Sequence, residues 1–321
     1  MTNVSREKTE NKAFIVGILK EKHLEFKENK GMQVVTGYLV LECNTPLGLS
    51  EVKVRVYQNM YTKQGKPNTL YKGLQTVSQE YKASLEFGEN ADTIKVEGRL
   101  EDNFYYSTGK NDFIEGVQLN GVFFNRVDAQ TPHCCKVAFE GYIAKVEPAE
   151  MDLNIELIGI GNDGVAVPVK CVVPQNLVGA FQGRYNVGCT ATLNIAILNT
   201  VKTEMVQEEV GFGEGIGEVI TKTTRKLEVF GGGLPIYMGS QGCITEEEVK
   251  QGLAIREVAK EKEKDKALNN SADTSMQTGF ALPQAQGTIG AQGTGAGMFA
   301  QSAGTGAGFQ MPTGTFGGFA G

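Results

Sequence analysis

Thr93-Ile94-Lys95-Val96-Glu97-Gly98-Arg99-Leu100-Glu101-Asp102-Asn103-Phe104-Tyr105-Tyr106-Ser107-Thr108-Gly109-Lys110-Asn111-Asp112-Phe113 reads as a strand running into an aromatic, basic hairpin tip. Its first residues alternate apolar with polar, as a half-buried strand requires, and the three consecutive rings are followed by turn chemistry. Rings at an exposed tip have little core to fill. A binding protein uses such rings as platforms on which unpaired bases stack, each worth about 1–3 kcal/mol, while nearby lysines hold phosphates.

Working outward, residues 13–19 and 34–42 read as a strand pair joined by a charged loop over 23–31, and residues 49–57 as a third strand. Residues 59–73 read as a loop, with Tyr61, Lys63, Lys66, Tyr71 and Lys72 around Gly65 and Pro67. A short helix over 74–85 precedes the quoted strand, and residues 114–125 form the fifth. Strand-strand-strand-helix-strand-strand is the order of the five-stranded OB barrel. Its bends fall at Gly17, Gly37, Gly98, Gly116 and Gly121, where a missing side chain relieves crowding.

The same residues carry a family resemblance. Val96-Glu97-Gly98-Arg99-Leu100 and the aromatic hairpin after it resemble the fourth strand and following hairpin of bacterial and phage single-stranded DNA-binding proteins. Asn11-Lys12-Ala13-Phe14-Ile15-Val16-Gly17-Ile18-Leu19 is similar to that family's first strand, and Val52-Lys53-Val54-Arg55-Val56-Tyr57 occupies the place of the third. Leu70-Tyr71-Lys72-Gly73-Leu74 falls in the region of the family's helix. The resemblance covers about residues 11–127 and implies an OB-fold that binds oligonucleotides. The chain departs from the family in having no Trp and in lacking an acidic, Pro-Phe-ended tail.

A second unit begins after Thr131-Pro132 and repeats the plan. Val137 to Val146 places Gly141 as the first strand places Gly17; residues 153–160, 165–173 and 189–201, a helix at 176–181 and a closing strand at 223–230 continue the series. The Gly-rich link over 204–218 lacks the Gly-x-Gly-x-x-Gly spacing and carries Glu rather than Lys, so it reads as a hairpin loop. Thr245-Glu246-Glu247-Glu248 is a capping box opening a charged helix. From residue 269 the chain is Gly, Ala, Gln and Thr with Phe280, Phe299, Phe309, Phe316 and Phe319. That composition predicts a disordered tail with weakly adhesive rings. The division is a mainly β chain of tandem OB-like barrels: 1–128 and 129–240, a helix over 241–268 and a tail over 269–321.

With 321 residues, 40% of them apolar, the chain can bury two modest cores. No apolar run reaches a membrane span and residues 1–12 are too polar for a secretory signal, so a cytoplasmic location is expected, the host's for a viral protein. Cys43, Cys134, Cys135, Cys171, Cys189 and Cys243 lie mostly in strand-like runs and read as buried, reduced thiols. The net charge of −6 is unusual for a nucleic-acid binder. Residues 1–128, however, hold 17 basic and 17 acidic residues, so the deficit lies elsewhere.

For binding, strand alternation separates Tyr105 from Phe104 and Tyr106, so at least one ring packs inward while others stack on bases. Lys53 and Arg55 share a face of the third strand, and Lys63, Lys66 and Lys110 lie in adjacent loops, forming a cationic track. Tyr57, Tyr61 and Tyr71 are weaker ring candidates, since a strand Tyr more often fills a half-buried surface. Arg99 meets either a phosphate or a neighbouring carboxylate. His133-Cys134-Cys135 cannot easily supply one tetrahedral metal site, no cofactor is expected, and with His23 and His133 as the only histidines nothing assembles a catalytic constellation.

The expectation is a non-enzymatic protein that coats and protects single-stranded DNA in phage or mobile-element replication or recombination. Its tail would contact replication or recombination proteins, and a homo-oligomer is compatible with it. Two alternatives stay open: a structural or adaptor protein using the barrels for protein contacts, as within a virion, and an RNA binder.

Overall fold

The computed structural model describes residues 9–29, 31–161, 163–207 and 217–277. Within them ten strands form two closed barrels. The first contains β1 (Asn11–Asn29), β2 (Met32–Thr45), β3 (Gly48–Asn59), β4 (Thr93–Ser107) and β5 (Asp112–Arg126). Its strands close in the order β1-β2-β3-β5-β4-β1, with β3 and β5 parallel through Val54 to Leu119 and Arg55 to Asn120. The second contains β6 (Cys134–Ala149), β7 (Asp152–Ile160), β8 (Ala166–Val173), β9 (Thr190–Gln207) and β10 (Gly217–Gly232). It closes as β6-β7-β8-β10-β9-β6, again with its third and fifth strands parallel. Each is an OB barrel, and each inserts a helix between its third and fourth strands.

In the first barrel that helix is α1 (Thr69–Glu80), followed by the one-turn α2 (Ser84–Phe87). It starts five residues before the position expected from sequence, because the Asn68 side chain caps the amide of Leu70 at 3.0 Å. Tyr71, Leu74 and Val77 then recur on one face and plug the barrel end. Tyr71 is therefore core, not a ring for a ligand. The charged stretch over 23–31 is not a loop either. β1 and β2 run on as a ribbon to Asn29 and Met32, with Leu24 packed on the core and Phe26 edge-on to Tyr71 at 5.7 Å. Lys22 donates to the carbonyls of Ser78 and Tyr81 at 2.9 and 2.7 Å, capping the C-terminal end of α1.

The matching helix of the second barrel is α3 (Gln175–Gln182), which buries Phe181. The two halves are related residue by residue. β1 bulges at Lys20, between Leu19 and Glu21, and β6 bulges at Ala144, between Ile143 and Lys145. That equivalence superposes Ala13 on Val137, and these two residues face one another where β1 and β6 pair antiparallel. A local two-fold relation thus passes through the seam, and one apolar cluster runs through both barrels, from Leu39 and Ile94 to Phe139 and Leu193. Asn11 fixes the end of the seam to β4: its side-chain amide donates to the Leu100 carbonyl at 2.8 Å and accepts from the Leu100 amide at 2.9 Å.

Of the expected bend glycines, Gly17 and Gly98 are required by close approach, since an added Cβ would lie 2.5 and 2.2 Å from the backbone oxygens of Glu42 and Asn120. Gly116 has open space around it, so close approach does not require a glycine there. The tip of the β9–β10 hairpin, within the expected Gly-rich loop, lies outside the described residues. The last element, α4 (Glu246–Gln277), opens on the expected capping box, with Glu248 accepting from the Thr245 amide at 2.7 Å and donating its own amide to the Thr245 hydroxyl at 3.2 Å. It continues past residue 268 into the stretch read as tail; residues 278–321 lie outside the described part. No helix among the described residues is long and apolar enough to cross a membrane.

Candidate nucleic-acid interface

Alternation along β3 buries Val52, Val54 and Val56 and turns Lys53, Arg55 and Tyr57 outward. Across the ladder, Tyr38 of β2 faces Arg55, and His23 of β1 faces Tyr38. The result is a compact outer face. The Lys53 ammonium lies 3.5 Å from the centre of the Tyr38 ring, the His23 ring is 4.6 Å from it, and Arg55 hydrogen-bonds Gln118 of β5. Tyr57, 50% exposed, stands next along the strand. Tyr38 was not among the sequence candidates, although its alternation with buried Leu39 and Leu41 marks it as outward.

β3 leads directly into a tight loop. A bridge between Tyr61 and Pro67 closes it, with the Thr62 amide donating to the Lys66 carbonyl at 2.8 Å, and it holds Tyr61 at 48% exposure with Lys63 and Lys66 fully outward. Among the described residues, Lys53, Arg55, Lys63, Lys66 and Lys110 have no carboxylate within ion-pair distance. Cations left unneutralised and beside rings are what a single strand requires.

Other candidates separate from this group. Arg99 lies on the outer side of β4, but its guanidinium is held by Glu101 at 2.8 Å, and Glu101 also accepts from Asn120. Of the hairpin rings, Tyr105 is 47% exposed on the outer side, and Lys110 is exposed at the turn. Phe104 and Tyr106 face the opposite way. They do not form an open platform: Tyr106 is 7% exposed, hydrogen-bonds Asn111 and sits under Lys264 of α4, while Arg256 lies 5.5 Å from the Phe104 ring. The alternation visible in the sequence separated the two sides; their cover, a helix some 150 residues away, was not visible there.

Among the described residues, the second barrel offers no equivalent face. By the shared bulge, Glu147, Asn154 and Val172 occupy the places of His23, Tyr38 and Arg55, and Lys170 faces Glu156 where Lys53 faces Val40. Two of its cations are matched within the barrel: Lys145 pairs with Glu147 at 2.8 Å, and Lys226 with Glu228 at 2.9 Å and Asp152 at 3.4 Å. The groove between the barrels, about 1240 Å³, is lined by charges that are mostly spent on one another: Lys12 pairs with Glu10 at 3.4 Å, Arg99 with Glu101 at 2.8 Å, Glu97 with Lys95 at 2.8 Å and Asp102 with Arg256 at 2.6 Å.

Four of the six cysteines, all unbridged, are buried, while Cys134 and Cys243 are half-buried. Burial pushes the Cys171 thiol up to about 12, away from reactivity. His133 accepts a hydrogen bond from the Asn44 amide at 3.1 Å. Among the described residues no cluster of His, Cys, Asp or Glu could hold a metal ion.

The sequence profile of the YorF family matches residues 9–266. No curated protein matches the chain. Among solved structures it is similar to a deletion mutant and the wild type of the single-stranded DNA-binding protein from Thermus aquaticus, at 13% and 12% identity. Those alignments cover 73% of this chain and 98% and 97% of theirs, each with a TM-score of 0.45.

Proposed function

The chain belongs to the YorF family, and we propose that it binds single-stranded DNA, without catalysing a reaction, on the outer face of its first barrel. The observation that carries this reading is the contrast between two barrels of one plan. Among the described residues, only the first presents such a cluster, Tyr38, Lys53, Arg55 and Tyr57, continued by Tyr61, Lys63 and Lys66. Bases stack on the tyrosines and phosphates follow the cations; Tyr105 and Lys110 extend the path along the hairpin. Arg99, neutralised by Glu101, contributes less.

The unit over 1–128 carries the strand, and that over 129–240 occupies the seam that the first strand of the barrel would otherwise leave open for pairing. Binding holds the strand extended and protected, the service that replication or recombination of a phage or mobile element requires. The test is titration of fluorescent oligo-dT and of a duplex of equal length at low and moderate salt. Tighter binding of the single strand, weakening as salt rises, supports the reading. Equal affinity for duplex, or no binding at low salt, overturns it in favour of an adaptor built from the same barrels.

A further inference from the structure

We infer that α4 is a strut that holds the β4–β5 hairpin in its binding orientation, with Arg256 and Lys260 as positioning residues; the inference rests on the strand-binding reading above. Pairing of β4 with β1 ends at Gly98, and pairing of β5 with β3 ends at Leu119. Beyond those points Asp102 to Ser107 and Asp112 to Val117 form a two-stranded ribbon to which, among the described residues, no third strand is hydrogen-bonded. Such a ribbon is marginal by itself.

α4 supplies the missing support. Its first turns are seated on the second barrel, where Val249 is buried with Ile158, Ala166 and Ile244. Gly252 approaches the β7–β8 turn so closely that a Cβ would meet the Ala166 nitrogen and the Gly164 oxygen at 3.0 Å. Farther along, Arg256, Lys260 and Lys264 recur every four residues and form one stripe along the ribbon. The Arg256 guanidinium grips both strands: Asp102 of β4 at 2.6 and 3.1 Å, and Glu115 of β5 at 2.7 Å. Its side chain is 6% exposed and that of Asp102 9%. Lys260 adds a second bond to Glu115 at 2.8 Å and lies 4.8 Å from the Phe113 ring.

The rings beneath lock edge-on, Phe113 to Tyr106 at 5.2 Å and to Phe104 at 6.4 Å. The covered side is thus packed and its carboxylates are neutralised, while the other side, bearing Tyr105, stays open. A ribbon already ordered spares the strand the cost of ordering it on binding.

Because the chain contains no Trp, Tyr105→Trp provides a single fluorescent reporter on the open side. In that background Arg256→Ala should lower the anisotropy of the tryptophan at position 105, raise hydrogen exchange at the hairpin tip and weaken oligo-dT binding by about three- to tenfold, the loss expected from re-ordering one side chain. Arg256→Lys should restore part of all three. Should Arg256→Ala fail to fold, Lys260→Ala carries the same expectation with smaller shifts. Tighter binding by either alanine variant would make α4 a cover instead of a strut, and unchanged anisotropy and exchange would overturn the strut alone. A Tyr105→Trp protein that binds no oligonucleotide, in a chain that without this change binds none either, overturns the strand-binding reading and with it the functional half of the inference. The anisotropy arm then still decides whether α4 holds the hairpin.

Discussion

The Lys53 ammonium rests 3.5 Å from the centre of the Tyr38 ring, side by side on neighbouring strands of the first barrel. Cation and ring hold each other in place, so both are ordered before a ligand arrives. Tyr38→Ala should weaken single-strand binding by about 1–3 kcal/mol, the contribution of one stacked base, with little change in melting temperature because the ring faces out. Fluorescence anisotropy with oligo-dT measures the first and calorimetry the second. A loss of binding that merely tracks unfolding would contradict the platform.

The three adjacent hairpin rings should behave differently. Tyr105→Ala should cost binding and leave stability alone. Phe104→Ala and Tyr106→Ala should cost stability, through the packing with Phe113 and α4, before they affect a strand directly. Thermal melts and titrations of the three single variants separate the two sides; equal stability losses for all three would refute the division.

How much of this was legible in the sequence follows from the range of each interaction. The barrel order, the inward valines of β3 and the outward Lys53 and Arg55 rest on a period of two, which any short window displays. Tyr38 had the same signal but was masked by the apolar run Val34 to Leu41 around it. The start of α1 was signalled by Asn68 and by Tyr71, Leu74 and Val77 on one face, yet Lys72 and Gly73, following Lys63, Gly65, Lys66 and Pro67, gave the segment the look of a loop. Leu24 and Phe26 were hidden in the same way among charges. The grip of Arg256 on Asp102, 154 residues apart, had no local signal at all. In a helix charged throughout, only the tertiary fold selects which cation is buried.

The seam predicts a stability effect. Asn11 satisfies both the amide and the carbonyl of Leu100, so Asn11→Ala leaves two partly buried backbone groups without their partner and should cost about 1–3 kcal/mol. Denaturant melts of the full chain measure it. A neutral substitution would mean that the β1–β4 junction is held by its ladder alone.

Acid should loosen the hairpin from α4. The Lys260 ammonium bonded to Glu115 lowers that carboxyl below its ordinary 4.5, with burial opposing and Arg256 reinforcing the effect. A carboxyl lowered in the folded state contributes stability above its ordinary value and loses it as pH falls through the folded one. Docking is therefore intact at neutral pH and weakens below about 4.5. The groups facing this contact are Asp102, Glu115, Arg256, Glu257 and Lys260. Hydrogen exchange at the hairpin tip, followed on acidification, should rise less in Glu115→Gln, whose starting protection is already lower; identical profiles would contradict the assignment.

The most direct measurement compares the two barrels within one chain. Tyr38→Ala/Lys53→Ala/Arg55→Ala should reduce oligo-dT affinity by roughly a hundredfold or more, as the loss of one stacking ring and two phosphate contacts implies. Asn154→Ala/Lys170→Ala, which alters the corresponding face of the second barrel, should leave affinity unchanged. If the first variant binds as the unmodified chain does, or the second loses as much as the first, the strand does not lie on the Tyr38 face.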